Sequence, residues 1–194
     1  MPQAQEDDAI LVAQAQRGDA GAFGRLVERY QDALFNGIYR MVSQREDAED
    51  LAQEAFVKAF RGIASFEGRS SIYTWLYSIA INLVISFRRK TGSTRRLNPL
   101  PLHEGSDGSG WRLDVADDCE PPDGAAERRE LRERIEQAIQ DLDDDYRLVV
   151  VMRDIEGFDY DTIAELLGCP QGTVKSRLHR ARVVLREQLK DLLA

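Results

Sequence analysis

Residues 159–189 read DYDTIAELLGCPQGTVKSRLHRARVVLREQL, and this stretch decides the fold. Asp159 or Asp161 can cap a short helix, Gly168-Cys169-Pro170 makes a turn, and a second helix starts near Gln171. Two helices joined by a short turn containing Gly are a helix-turn-helix. At about 100° per residue, Val174, Leu178, Ala181 and Leu185 share one arc and form the core face of the second helix. The far side then carries Gly172, Thr173, Ser176, His179 and Arg180, flanked by Lys175, Arg177, Arg182 and Arg186. Residues 166–186 hold 5 bases and no acids, whereas residues 141–165 hold 9 acids against 2 bases. A basic, acid-free polar face suits a DNA major groove, where Arg reads guanine edges and Lys and Arg neutralise phosphates. A basic face that merely meets solvent is the plainer reading. The capped first helix, the Gly turn and the absence of acids together favour DNA.

Upstream, two further segments read as helix. Residues 125–141 form a charged helix, and residues 144–152 place Leu148, Val149, Val151 and Met152 on an apolar face. Before them, residues 92–124 contain 4 of the 6 prolines and 5 of the 14 glycines, with no sustained periodicity. That composition predicts a flexible linker. It is also acidic, since residues 93–126 hold 7 acids and 3 bases.

The first 92 residues read as four helices. One covers residues 7–17 and is closed by Gly18; a second starts at a cap on Asp19 and runs past Tyr30 towards Met41. In the third, Ala48, Leu51, Ala52, Ala55, Phe56, Ala59 and Phe60 repeat at helical spacing. Glu49, Asp50, Gln53, Glu54, Val57, Lys58 and Arg61 stand opposite. Taken alone, that opposite face is the wet side of an amphipathic helix. The fourth helix is capped by Ser70 or Ser71 and carries Ile72, Leu76, Ile79, Leu83 and Phe87 on its apolar face. Tyr73, Trp75 and Tyr77 lie on this helix, which ends in Arg88-Arg89-Lys90. Aromatics beside bases suit single-stranded nucleic acid, although core packing suits Trp75 better. Asn82 flanks the apolar face as either a structural amide or a base reader.

Composition narrows the function classes. The chain has 194 residues, 43% of them hydrophobic, and a net charge of -8. No apolar run spans a membrane, so no membrane insertion is expected. The opening MPQAQEDDAI is too polar and acidic for a secretory signal, which points to the cytoplasm. The cysteines, Cys119 and Cys169, have no metal or redox spacing, and His103 and His179 complete no cluster, so neither metal nor cofactor is expected. No carboxylate–His pair, nucleophile motif or phosphate loop argues for an enzyme.

Three strings together resemble the extracytoplasmic-function (ECF) sigma factors of bacterial RNA polymerase, near the sigma-E branch: DAEDLAQEAF (residues 47–56), YTWLYSIAIN (73–82) and GCPQGTVKSR (168–177). The resemblance implies an all-α chain of two small helical domains. Residues 1–92 would be the sigma region 2 domain and residues 127–194 the sigma region 4 helix-turn-helix domain, with residues 93–126 as the linker. It implies that Asp47, Asp50, Gln53, Glu54 and Lys58 dock on core polymerase, at the clamp coiled coil, with the flap as a second polymerase contact. It implies that the loop of Phe66, Glu67, Gly68, Arg69 and Ser70, with Asn82 behind it, captures a flipped base of the minus-ten element, with Arg88 and Arg89 on nearby phosphates. Extruding a base costs a few kcal/mol, which a hydrogen-bonding pocket must supply. It implies that Thr173, Lys175, Ser176, Arg177, His179, Arg180 and Arg182 serve the minus-thirty-five element. Promoter DNA, core RNA polymerase and an anti-sigma factor are the partners it implies. The chain has Gly68-Arg69 where the family often has Gly-Asp, and Ile72 where an aromatic is common. These departures bear on which base is captured, not on the role. The alternative is a stand-alone regulator using only the helix-turn-helix, which leaves residues 1–92 without a task.

Overall fold

Asp19 sets where the second helix begins. The computed structural model describes residues 2–90 and 125–192, which divide between two compact units, residues 1–95 and 96–194. Among the described residues every regular element is helical.

The first unit contains α1 (Pro2–Gln16), α2 (Ala20–Val42), α3 (Arg45–Gly62) and α4 (Ile72–Lys90), with a short 3-10 turn over Ile63–Ser65. The first helix therefore starts earlier than the predicted residue 7, with Pro2 in its first turn, where a missing N–H costs nothing. Asp19 caps α2, its Oδ1 accepting the Ala22 N–H at 3.0 Å. α2 stops at Ser43, a non-glycine residue held at φ 66, whose N–H donates to the Tyr39 carbonyl at 2.9 Å. α3 begins with Glu46 and Asp47 in its first turn, where carboxylates favour the positive helix end. Of the two candidate caps for α4 it is Ser71 that acts, its Oγ accepting the Thr74 N–H at 3.0 Å.

α3 packs through small residues, Ala48, Ala52, Ala55 and Ala59, all buried along with Leu51. Phe60 departs from the predicted apolar face: it is 50% exposed and meets Phe23 edge-on at 5.1 Å. It sits about 120° round the helix from Ala48, past the rim of the stripe. α4 is buried more widely than predicted. Besides Ile72, Leu76 and Leu83, it buries Tyr77, Ala80, Ile81, Val84 and Arg88, because it packs against both α2 and α3. Tyr77 has no exposed surface and fits against Gly37 of α2, where a Cβ would lie 2.5 Å from its Oη. Tyr77 is thus a core side chain, not a stacking platform. A larger residue at position 37 must displace the ring, an overpacking cost of about 1–3 kcal/mol.

The second unit contains α5 (Ala125–Gln140), α6 (Asp144–Val150), a π-helical turn over Val151–Ile155, α7 (Tyr160–Leu167) and α8 (Gln171–Gln188), then a 3-10 turn over Lys190–Leu192. Leu148 to Met152 are all buried, which explains a continuous apolar run in place of a periodic one. The π turn closes with the Glu156 N–H on the Val151 carbonyl at 3.0 Å. Arg147 is buried although charged; it donates to the Ile139 carbonyl at 3.2 Å, the Leu142 carbonyl at 2.9 Å and the Gln140 carbonyl. It thereby caps the C-terminal end of α5, where a cation opposes the helix dipole. Burial pulls its pKa below the usual guanidinium value, and the neighbouring carboxylates, Asp144 foremost, offset only part of that.

Candidate nucleic-acid interface

α7, the turn and α8 form the predicted helix-turn-helix. Asp159 is the working cap: its Oδ1 accepts the Thr162 N–H at 2.7 Å, and that backbone contact holds its carboxyl below the usual carboxylate range. Gly168 ends α7 at φ 60, and the Cys169 N–H reaches the Ala164 carbonyl at 3.0 Å. Asp161, the other candidate cap, instead accepts from Gln171 Nε2 at 2.8 Å and so ties the start of α8 to α7.

Val174, Leu178 and Ala181 seat α8 in the core, and Leu185 is half-buried. Lys175, His179 and Arg186 are exposed, and Thr173, Ser176 and Arg180 are half-buried. Ser176 Oγ donates to the Thr173 carbonyl at 3.0 Å. Lys175 Nζ lies 5.4 Å from the centre of the Tyr160 ring, which the Arg153 guanidinium also covers at 4.5 Å. Arg153 is fixed there by a 2.8 Å bond from its Nη1 to the Phe158 carbonyl.

Two of the predicted DNA contacts turn inward. Arg182 makes a bidentate pair with Asp154, at 3.1 Å from Nε and 2.6 Å from Nη2. This fork raises the Arg182 pKa. Arg177 lies 3.3 Å from Asp145, and its side chain is only 11% exposed. Both sit beside the apolar arc of α8, so their long stems reach acids of α6 and the π turn before they reach solvent.

In the first unit, Gln16 of α1 donates from Nε2 to the carbonyls of Ile63 at 3.2 Å and Phe66 at 2.8 Å, holding the start of the loop of residues 66–71. The Phe66 ring packs on Trp75 with centres 5.2 Å apart. Glu67 and Arg69 pair with each other across Gly68, which takes φ 70, and Glu67, Gly68, Arg69 and Ser70 are exposed. Asn82 is exposed too, with its Nδ2 on the Ser78 carbonyl at 2.9 Å. It shares a helix face with Ser71 and Ser78, about 15 Å along α4 from the loop. Arg89 and Lys90 are exposed. Arg88 is buried, contrary to a phosphate contact, because it continues the stripe of Tyr77, Ile81 and Val84 at helical spacing.

On α3, Asp50, Gln53, Glu54 and Lys58 are exposed and Asp47 is half-buried. Lys58 pairs with Glu54 at 3.1 Å, one turn apart. Val57, 47% exposed, and Phe60 add apolar surface beside these polar groups. No local pattern signals the Asp8 cluster, where a buried carboxylate holds Arg29 and the Tyr30 hydroxyl. Burial first, then Asp8, pushes the Tyr30 pKa up to about 12. Among the described residues no group of three or more His, Cys, Asp or Glu could hold a metal. Cys169 is half-buried, and burial pushes its thiol up, away from reactivity. His103, Cys119 and residues 93–124 of the predicted linker lie outside the described residues, while its last two, 125 and 126, already belong to α5.

Comparison with known proteins identifies the family. A model of Sigma-70 region 2 matches residues 26–94, and one of Sigma-70, region 4 matches residues 132–185. The RNA polymerase sigma-H factor of Pseudomonas aeruginosa is 40% identical, with 97% of each chain covered. The ECF RNA polymerase sigma-E factor of Haemophilus influenzae is 37% identical over 96% of this chain and 97% of its own. Among solved structures, the sigma factor RpoE of Bartonella quintana, in complex with the anti-sigma factor NepR, superposes with a TM-score of 0.59. It is 29% identical over 87% of this chain and 96% of that one. Two sigma units in family order, matched nearly end to end, place this chain in the extracytoplasmic-function group of RNA polymerase sigma factors.

Proposed function

We propose that the chain is a transcription initiation factor that binds core RNA polymerase and directs it to a specific set of promoters. The observation that carries this is α8: a recognition helix seated by a capped helix-turn-helix, with Lys175, Ser176, His179 and Arg180 on a face free of acids. Through these residues and Thr173 it reads the minus-thirty-five element as duplex. The exposed loop Glu67, Gly68, Arg69 and Ser70, with Phe66 at its base and Asn82 further along α4, receives an unpaired base of the minus-ten element. Arg89 and Lys90 serve the adjoining backbone. α3 docks on the polymerase clamp coiled coil through Asp47, Asp50, Gln53, Glu54 and Lys58, and the second unit contacts the flap. Residues 1–92, 93–126 and 127–194 divide these tasks. The chain performs no catalysis of its own; that belongs to the polymerase. Among the described residues no helix is long and apolar enough to cross a membrane, and we place the chain in the cytoplasm with the polymerase. The NepR complex of a relative supports an anti-sigma factor as a further partner.

The test is run-off transcription with bacterial core polymerase on a promoter-containing genomic library, with and without the chain. New discrete transcripts are expected, and Asp50→Arg should abolish them while leaving the fold intact by circular dichroism. No new transcripts from a chain that still shifts duplex DNA would overturn the sigma role in favour of a stand-alone regulator.

A further inference from the structure

Five bases lie on α8, and two of them, Arg177 and Arg182, are held by carboxylates from other elements: Asp145 on α6 at 3.3 Å and Asp154 in the π turn at 2.6 Å. Both guanidiniums start at the edge of the DNA-facing arc, beside Arg180 on one side and Lys175 on the other. An arginine stem is long enough to swing outward from such an edge, and a phosphate backbone would reward it on any sequence. The pairs are not an obvious gain for stability, since buried ion pairs roughly break even against apolar residues of the same volume. What they decide is where two positive charges point.

We infer that Asp145 and Asp154 are specificity-determining residues: they withhold Arg177 and Arg182 from DNA phosphates, so that the reading helix offers base contacts with little sequence-blind attraction. This rests on the assignment of α8 as the promoter reader.

The experiment uses the full chain assembled with core polymerase. Binding is measured across a salt series to a promoter duplex recovered from the transcription library and to a mixed-sequence duplex without the promoter. Asp145→Asn should steepen log K against log salt by about 0.9, one released cation, and should lower the ratio of promoter to mixed-sequence affinity. Glu165→Gln, which removes one exposed charge from α7, should leave both nearly unchanged. Arg177→Gln added to Asp145→Asn should restore the original slope. Asp154→Asn should act likewise through Arg182. Its carboxylate is 8% exposed against 36% for Asp145, so a melt accompanies it, and Asp145 keeps the test decisive if that variant unfolds. A slope for Asp145→Asn no steeper than for Glu165→Gln would overturn the inference while promoter preference in the parent chain stands. A parent chain that binds both duplexes alike would overturn the promoter reading itself.

Discussion

α3 and α8 are both helices of 18 residues with one apolar face, and they handle charge in opposite ways. α3 pairs its charges along its own surface, Arg45 with Glu49 at 2.8 Å and Lys58 with Glu54 at 3.1 Å, all well exposed. Such pairs are worth a few tenths of a kcal/mol and give way readily to a partner. α8 pairs two bases with acids elsewhere in its unit, and one member of each pair is nearly covered, Arg177 at 11% and Asp154 at 8% exposed. A charge held loosely on its own helix stays free for an interface, and a charge held by the fold is removed from one. Exposure, not the sign or number of charges, separates the two surfaces.

The largest effect should come from breaking a held charge. Asp154→Ala removes the bidentate partner of Arg182, whose guanidinium can still turn outward to water, and should cost about 1.5–3 kcal/mol, read as a lowered midpoint in urea. A loss below about 1 kcal/mol would put Arg182 with the loosely held class. Next, Arg180→Ala should cost about 1–3 kcal/mol in discrimination at the upstream element, read by competition between matched and mutated duplexes. An equal loss on every sequence would make Arg180 a phosphate contact. Asp159→Ala removes the cap of α7 and should cost about 1 kcal/mol. Because the folded state depresses its carboxyl, the cap's contribution is present above the unfolded value near 3.9 and is lost as pH falls through the lower folded value. The variant should therefore flatten the acid limb of a stability–pH profile. Smallest of all, Glu54→Ala should change stability by under about 0.5 kcal/mol while weakening polymerase binding. A thermal melt beside a pull-down on core polymerase separates the two.

Much of this architecture could be read directly from the residues. Periodicity placed the helices, and Asp19, Gly168 and the pairs Ser70/Ser71 and Asp159/Asp161 marked their ends, because caps and left-handed turns are local chemistry; folding chose Ser71 and Asp159. The exposed position of His179 followed from helical angle alone, and Lys175, read as a flank of that face, is exposed as well. What the residues hid depends on neighbours distant in sequence. A wheel gives the direction of Arg88, Arg177 and Arg182 but not the element that meets them. Tyr77 looked like half of an aromatic–basic patch because its companion, Gly37, lies forty residues earlier. Arg147 and Asp8 gave no local signal, since each is explained by carbonyls or side chains brought close only by folding.

The wide turn at Val151–Ile155 acts as a spacer in the chain's register. A π turn holds one residue more than the α turn it replaces. Wound as an ordinary α-helix, the same residues would carry everything after them round by about 100°. Asp154 would leave Arg182, Arg153 would leave Tyr160, and α7 would begin at a different heading. The fit of the reading helix to its scaffold thus hangs on a count of one.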